Sequence, residues 1–237
     1  MKYIPLGFVK GSVEIGTHIV MLYENEKELL EIFPPFFAAG LLNNELCIVV
    51  YPNLRLKQEL HEKLAKLVDI DFYIKKKKIE FVYYKNFYFR NRIFNKEKIY
   101  WLIDKKIKQV GFKDFDGLRT ASDMSWVNSK FFKKILIYEK GLTKKYKKSP
   151  ILFICAYPIN KLTIPELVDV LQSHMLILYK KDRKWCLSET MERRILMKEI
   201  QNLEKFTKLA VGRELKMIKL KEKVEKLEKQ LKESKIS

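Results

Sequence analysis

Short apolar runs alternate with stretches of helical periodicity along most of the chain. His18–Tyr23 (HIVMLY), Glu45–Tyr51 (ELCIVVY), Ile79–Tyr84 and Ile151–Tyr157 (ILFICAY) read as strands, and Gly117–Met124 as a further strand with the loop after it. Continuous apolar runs of this length predict strands buried on both faces. Between them, Leu29, Leu30, Phe33, Phe36 and Phe37 recur at helical spacing, with Pro34-Pro35 marking a kink or a break between two helices. Leu56, Leu60, Leu64 and Leu67 predict another helix. Ile99, Leu102, Ile103 and Ile107 form a stripe along Lys96–Val110, with Gly111 where a helix stop is expected. Asn86–Phe94 reads as an aromatic-rich loop and Ser129–Lys147 as a helix. Thr163-Ile164-Pro165-Glu166 has the form of a helix start, with proline in the first turn. Strands separated by helices and covered on both faces imply a three-layer α/β domain with a mostly parallel central sheet. It is expected to span residues 1–185, with Trp185 near its boundary.

The remaining residues, 186–237, have a different texture. Leu203, Ala210, Met217, Val224 and Leu231 fall at one heptad position, and Phe206, Arg213, Leu220 and Leu227 at another. So narrow a stripe makes no core alone and predicts a C-terminal coiled-coil helix. The repeat runs beyond three heptads, so self-association is expected over folding back on the domain. Arg213 in the seam would cost stability while fixing register.

Composition narrows the function classes. Lys and Arg number 48 against 29 Asp and Glu, a formal charge of +19. The lysines are spread along the chain and outnumber arginine, the residue suited to bidentate phosphate and guanine contacts. A solvated basic surface is therefore expected, and nucleic-acid binding only of a non-specific kind. The abundance of Lys, Glu and Ile with few glycines is thermophile-like. No run is long and apolar enough to span a membrane, and the N-terminus lacks a signal core. Three widely spaced cysteines suggest neither a disulfide framework nor a zinc motif. A cytoplasmic protein is expected.

Catalytic chemistry is hard to find. No Gly-x-x-x-x-Gly-Lys-Ser/Thr loop occurs, and Tyr23-Glu24-Asn25-Glu26, after the first strong strand, is acidic and glycine-free, which would repel a triphosphate. His18, His61 and His174 each stand alone, without a second histidine or a cysteine at metal-ligand spacing. Neither an enzyme nor a cofactor or metal site is expected. The polar cluster that stands out is Arg119-Thr120-Ala121-Ser122-Asp123-Met124-Ser125-Trp126, just past a predicted buried strand. Arg119 and Asp123 could pair with each other. They could instead orient a polar ligand group while Trp126 supplies an apolar wall. Cys155 and Tyr157 alternate at the end of the last predicted strand, and Glu139 lies on the helix before it.

These segments carry a resemblance. His18 to Asn25 (HIVMLYEN), Phe36 to Leu41 (FFAAGL) and Glu45-Leu46-Cys47 resemble the opening of the MEDS domain, the methanogen/methylotroph sensory domain. Arg119 with Asp123-Met124-Ser125-Trp126 is similar to the family's arginine–Gly-(Asp/Glu)-Met-Ser-Trp signature, with Ser122 where glycine is usual. Ile154 to Tyr157, followed by His174, resembles its last strand and helix. The resemblance implies a RecA/KaiC-like fold that has lost its phosphate loop. It also implies a non-catalytic role in sensing small molecules, hydrocarbon derivatives among them, upstream of a regulator or kinase. The expected pocket is lined by His18, Tyr23, Glu24, Arg119, Asp123 and Trp126, with Cys155 and Tyr157. No helix-turn-helix, PAS or kinase segment follows the heptads, so output is expected from homodimerisation or from a separate kinase or regulator partner. A degenerate nucleotide-binding protein and a basic nucleic-acid-associated scaffold stand as the alternatives.

Overall fold

The computed structural model describes residues 3–112 and 115–234. The chain divides into two compact units, Met1–Thr190 and Met191–Ser237. The first opens with a small antiparallel ribbon of β1 (Tyr3–Pro5) and β2 (Ser12–Glu14). There follow β3 (His18–Tyr23), α1 (Glu26–Leu42), β4 (Glu45–Tyr51), α2 (Leu54–Ala65), α3 (Ile70–Lys75) and β5 (Ile79–Tyr83). Next come α4 (Tyr84–Tyr88), the ribbon of β6 (Phe89–Arg90) and β7 (Ile93–Phe94), α5 (Lys96–Phe112) and β8 (Gly117–Asp123). The unit closes with α6 (Ser129–Tyr146), β9 (Ile151–Pro158), a 3-10 turn (Ile159–Lys161), α7 (Ile164–Gln172), β10 (Leu176–Lys181) and β11 (Lys184–Glu189).

The main sheet has seven strands in the order β11-β10-β3-β9-β8-β4-β5. All its pairings are parallel except β10 with β11. The two-residue strand period sorts side chains between two apolar layers. Ile19 and Met21 of β3 join Cys47, Val49 and Ile154 beneath Phe33, Phe36 and Leu56 of α1 and α2. Val20 faces the other way, with Ile48, Phe153 and Cys155, against Ile103, Ile135 and Tyr138 of α5 and α6. Every residue of β4, β8 and β9 is buried, as expected for strands covered on both sides. From the paired strands β3 and β9 the chain departs in opposite directions, to β4 on one side and β10 on the other. Such a switch point opens a crevice at the carboxyl ends of the strands.

The predicted strands and helices are present; α3, β10 and β11 are additional to them, and five features depart from the expectation. First, α1 runs unbroken through Pro34 and Pro35, because the apolar stripe on both sides of the pair is buried and packing holds the helix across the lost amide donors. Second, α5 continues past Gly111 to Phe112. Third, the aromatic segment 86–94 is a helical turn and a tight hairpin, with Asn91 and Arg92 at φ 50° and 63°. Fourth, β1 and β2 precede the first expected strand and insert Ile4 and Val13 into the core. Fifth, β11 continues the first unit beyond the expected boundary at 185, so the terminal helix starts at Met191. Asp182 and Arg183, both at positive φ (50° and 61°), make the tight turn that folds Trp185 and Leu187 back onto the core.

Arg119 belongs to this framework. Its side chain points to the α1 face and is 0% exposed. Nε and Nη2 donate to the two carboxylate oxygens of Glu45 at 2.8 and 2.9 Å. Nη1 donates to the Phe36 carbonyl at 2.7 Å and Nη2 to that of Pro5 at 3.0 Å. The guanidinium lies 4.6 Å from the centroid of Phe36, and Gly40 makes room for it: a Cβ there would stand 2.9 Å from Nε. Arg119 is therefore not the partner of Asp123, one of the two roles left open for it, and its fully buried side chain lies away from the pocket expected to include it. Arg119 ties β8 to β4, α1 and β1.

The second unit is α8 (Met191–Ser234), a single 44-residue helix. Leu203, Phe206, Met217, Leu220 and Val224 of the heptad seam are exposed along it. The side chains of Leu227 and Leu231 lie outside the described residues.

Removing one partner of a buried, hydrogen-bonded ion pair strands the other charge. Arg119→Ala should therefore lower unfolding free energy by about 3–5 kcal/mol. Arg119→Lys should not restore it, since an ammonium cannot serve a bidentate carboxylate and two carbonyls from the same position. Urea denaturation of the three proteins checks this.

Candidate functional site

Two neighbouring arrangements on the α5–α6 side of the sheet concentrate the chemistry of the molecule. The inner one is a sealed polar chamber. Gly16, at φ 87°, turns the chain into β3 where a Cβ would overlap the Lys147 carbonyl, so His18 enters the sheet in register with Phe153. His174 lies two residues before β10, and the Met175 amide donates to the His18 carbonyl at 2.9 Å, which brings the two imidazoles to 4.0 Å between centroids. Cys155 and Tyr157 descend from β9, and α6 lowers Glu139 and Thr143 onto them.

Glu139 is the hub. Its Oε2 lies 3.0 Å from His18 Nε2, 3.6 Å from His174 Nε2 and 3.4 Å from Cys155 Sγ. Its Oε1 accepts from the Tyr157 hydroxyl at 3.1 Å. His18 Nε2 is 3.3 Å from Cys155 Sγ. All four of His18, Glu139, Cys155 and His174 are at most 4% exposed. Burial pulls both imidazoles down to about 3, with His18 also lowering His174, so both are neutral. The same burial raises the Glu139 carboxyl, against the opposing influence of His174, Cys155 and Tyr157. It pushes the Cys155 thiol well up, with Glu139 adding to the rise.

The outer arrangement is an aromatic cavity of about 480 Å³ lined by Tyr84, Phe89, Trp126 and Phe131, with Asn86, Asn91, Arg92 and Asn128 among its polar groups. Tyr84 directly follows the carboxyl end of β5, and Trp126 stands three residues past that of β8. Their rings stack at 5.0 Å and 25°, and Phe89 meets Trp126 edge-on at 5.5 Å. The indole Nε1 of Trp126 is buried with no hydrogen-bond partner among the described residues. Tyr88 stands between cavity and chamber. Its ring lies 4.8 Å from Trp126 and 5.9 Å from Tyr138, and its hydroxyl donates at 2.9 Å to Ser122, the strand neighbour of Cys155.

A third feature occupies the strand ends near the switch point. The Tyr23 hydroxyl donates to Asp123 at 2.8 Å, and Asp123 also accepts from the Ser125 amide and hydroxyl at 2.9 and 3.0 Å. Burial still leaves the Asp123 carboxyl above its ordinary range. Glu24 is exposed in a second cleft with Tyr23, Glu28, Tyr179, Lys180 and Arg183, and its amide donates to the Glu28 carboxylate at 2.8 Å.

The expected pocket therefore separates into groups. His18, Cys155 and Tyr157 come together in the chamber, Trp126 lines the aromatic cavity, and Tyr23 and Asp123 bond at the strand ends beside Glu24. Arg119 lies on the opposite face. The expectation of solitary histidines is corrected: His18 and His174 share the chamber with Cys155 and Glu139, far apart in sequence but adjacent because β3, β9 and β10 are neighbours. Thr143, Tyr84, Tyr88, Phe89 and Phe131 were not expected. The only advance signal was the density of aromatics around 84–94. Ser122 lies inside β8, not in a loop, with its hydroxyl occupied by Tyr88.

The family described as MEthanogen/methylotroph, DcmR Sensory domain (MEDS) matches residues 17–175, which span the chamber and the aromatic wall. The chain belongs to the MEDS family. No curated protein sequence matches it. Among solved structures, this MEDS domain is similar to the KaiC-like protein PH0186 from the hyperthermophilic archaeon Pyrococcus horikoshii OT3. The TM-score is 0.53 and the identity 14%, over 81% of this chain and 89% of that one. It is similar to the uncharacterized protein PH0321 from Pyrococcus horikoshii, solved with an unknown peptide. There the TM-score is 0.54 and the identity 15%, over 72% and 80% of the two chains. At this identity the likeness establishes the MEDS fold as KaiC/RecA-like.

Asp123 supplies a pH test of the strand-end network. An unfolded aspartate titrates near pH 3.9 (about), and the native carboxyl titrates higher, so the folded state holds the proton more tightly. Its contribution to stability falls as pH rises from about 4 through the folded value and is flat above it. Asp123→Asn keeps the shape and removes this fall. The stability difference, variant minus wild type, should grow with pH across that window in urea midpoints taken over a pH series.

Proposed function

We propose that this MEDS domain is a non-catalytic sensor of a small, partly apolar molecule, bound in the aromatic cavity at the carboxyl edge of β5 and β8. The observation that carries the reading is the cavity itself: four aromatic side chains, with asparagines and an arginine nearby, at the strand edge where α/β sheets take ligands. Aromatic walls supply burial and stacking for a small apolar body, while Asn86, Asn128 and Arg92 can orient one polar group. Its helical turn and hairpin, residues 84–94, form one side of the cavity, and ligand contact at Trp126 would bear on Tyr88 and so on the chamber behind it.

Two features favour binding over turnover. The β3–α1 turn carries an acidic first turn, Glu26 and Glu28, with the Glu24 amide already engaged by Glu28, where a phosphate-binding loop would need free amides. The thiol and imidazoles are sealed from solvent and neutral. Output would run through α8, whose exposed seam residues suit a homodimeric coiled coil. A separate kinase or regulator would read that dimer in the cytoplasm.

A thermal-shift screen of small apolar and halogenated metabolites, with ATP and magnesium alongside, tests the ligand class. A true ligand at a hundred times its Kd should stabilise the domain by about 2.7 kcal/mol. Trp126→Ala and Tyr84→Ala should each abolish the shift. Stabilisation by nucleotide alone would overturn the reading. For the helix, Leu220→Glu places a charge in the seam and should convert a dimer to a monomer in sedimentation equilibrium.

A further inference from the structure

We infer that the chamber of His18, Glu139, Cys155 and His174 is a binding site for one divalent metal ion of the zinc class. This stands on the chamber alone and holds whether or not the aromatic cavity takes a ligand. The four donor atoms all lie within 4.8 Å of one another. Zinc bonds to nitrogen, oxygen and sulfur of about 2.0–2.3 Å place tetrahedral donors roughly 3.3–3.8 Å apart. The donor separations here are 3.0 Å for His18–Glu139, 3.3 Å for His18–Cys155, 3.4 Å for Cys155–Glu139 and 3.6 Å for His174–Glu139. Small side-chain adjustments bring such a set onto one ion.

The hydrogen-bond network fixes which ring nitrogens are free. His174 Nδ1 approaches the Val170 carbonyl to 2.7 Å, which requires a proton on that nitrogen. Thr143 spends its hydroxyl proton on the Ser173 carbonyl at 2.7 Å, so His18 Nδ1, 2.8 Å from the same hydroxyl oxygen, must be the donor there. Both Nε2 atoms therefore turn bare lone pairs toward the carboxylate and the sulfur. Imidazoles anchored through Nδ1–H to a carbonyl or hydroxyl are the usual outer support of metal-binding histidines.

Protons alone do not satisfy this arrangement. A protonated Glu139 could donate to His18 Nε2, and the Cys155 thiol to Glu139, but His174 Nε2 would remain without a hydrogen-bond partner in a fully buried place. No lysine or arginine contacts the four donors among the described residues. A divalent ion would meet both lone pairs and displace the protons of Cys155 and Glu139. With one thiolate, one carboxylate and two neutral imidazoles, the loaded site carries no net charge, which suits its burial. Thiolate and imidazole select zinc-class ions over magnesium or calcium. Because the chamber is sealed, the ion would enter as the chain folds.

The test is refolding of the full chain from denaturant and chelator with one equivalent of Co(II), which reports its own coordination. The expected result is one cobalt per chain retained through desalting. It should show the intense visible bands of tetrahedral cobalt and a thiolate-to-cobalt charge-transfer band, displaced by zinc. Cys155→Ser should lose the charge-transfer band, and His174→Ala should lose retention. Thr143→Val, which removes only the support of His18, should weaken zinc affinity about tenfold while keeping the tetrahedral spectrum. If the chamber variants fail to fold, the wild-type spectrum alone decides. Wild type that refolds equally well without metal and retains no cobalt would overturn the proposal. So would octahedral cobalt, or binding unchanged in Cys155→Ser and His174→Ala.

Discussion

A parallel sheet covered by helices on both faces leaves its polar side chains no water to bond. Each one placed on a central strand must find its partners inside the protein or cost several kcal/mol. β3, β8 and β9 carry His18, Arg119, Asp123 and Cys155 into that dry interior. Much of what distinguishes this molecule follows from how those four are satisfied. Arg119 finds a carboxylate and two carbonyls; Asp123 finds a phenol and a serine. His18 and Cys155 find Glu139, His174 and Thr143, and within this last group the Nε2 lone pair of His174 has no hydrogen-bond partner among the described residues.

The two faces of the sheet thus serve different ends. Toward α1, Arg119 and Glu45 convert a potential charge penalty into a clamp that also holds the N-terminal ribbon through Pro5. Gly40 is the concession in α1 that lets the guanidinium lie close. Toward α5 and α6, Tyr88 stands between the chamber and the aromatic cavity, its ring against Trp126 and its hydroxyl donating to Ser122, the strand neighbour of Cys155.

The likeness to KaiC-like proteins is one of chain path. In this molecule the β3–α1 turn is closed by its own side chains: the Asn25 amide oxygen caps α1 through the Lys27 amide, and the Glu28 carboxylate takes the Glu24 amide. Helix-terminal donors that would cradle a phosphate are therefore already occupied or faced by negative charge. The sheet order and the switch point rest on the burial of β3, β4, β8 and β9.

Apolar runs and helical stripes determined where the central strands and most helices lie, since burial on both faces leaves a continuous signal that needs no knowledge of neighbours. The Thr163–Glu166 helix start was equally local, a capping box complete within four residues. Segments whose conformation rests on a single unusual turn escaped that reading, as with the hairpins at Asn91-Arg92 and Asp182-Arg183, where non-glycine residues take positive φ. The candidate site was legible only as a set of types. Trp126, read as an apolar wall, lines a cavity, whereas Arg119 looked the same as a ligand contact or a buried clamp, because its partner Glu45 lies on another strand. His18, Glu139, Cys155 and His174 show no motif spacing. Only the strand order, which sets β3 between β9 and β10 with α6 across them, brings their donor atoms within bonding reach of one another.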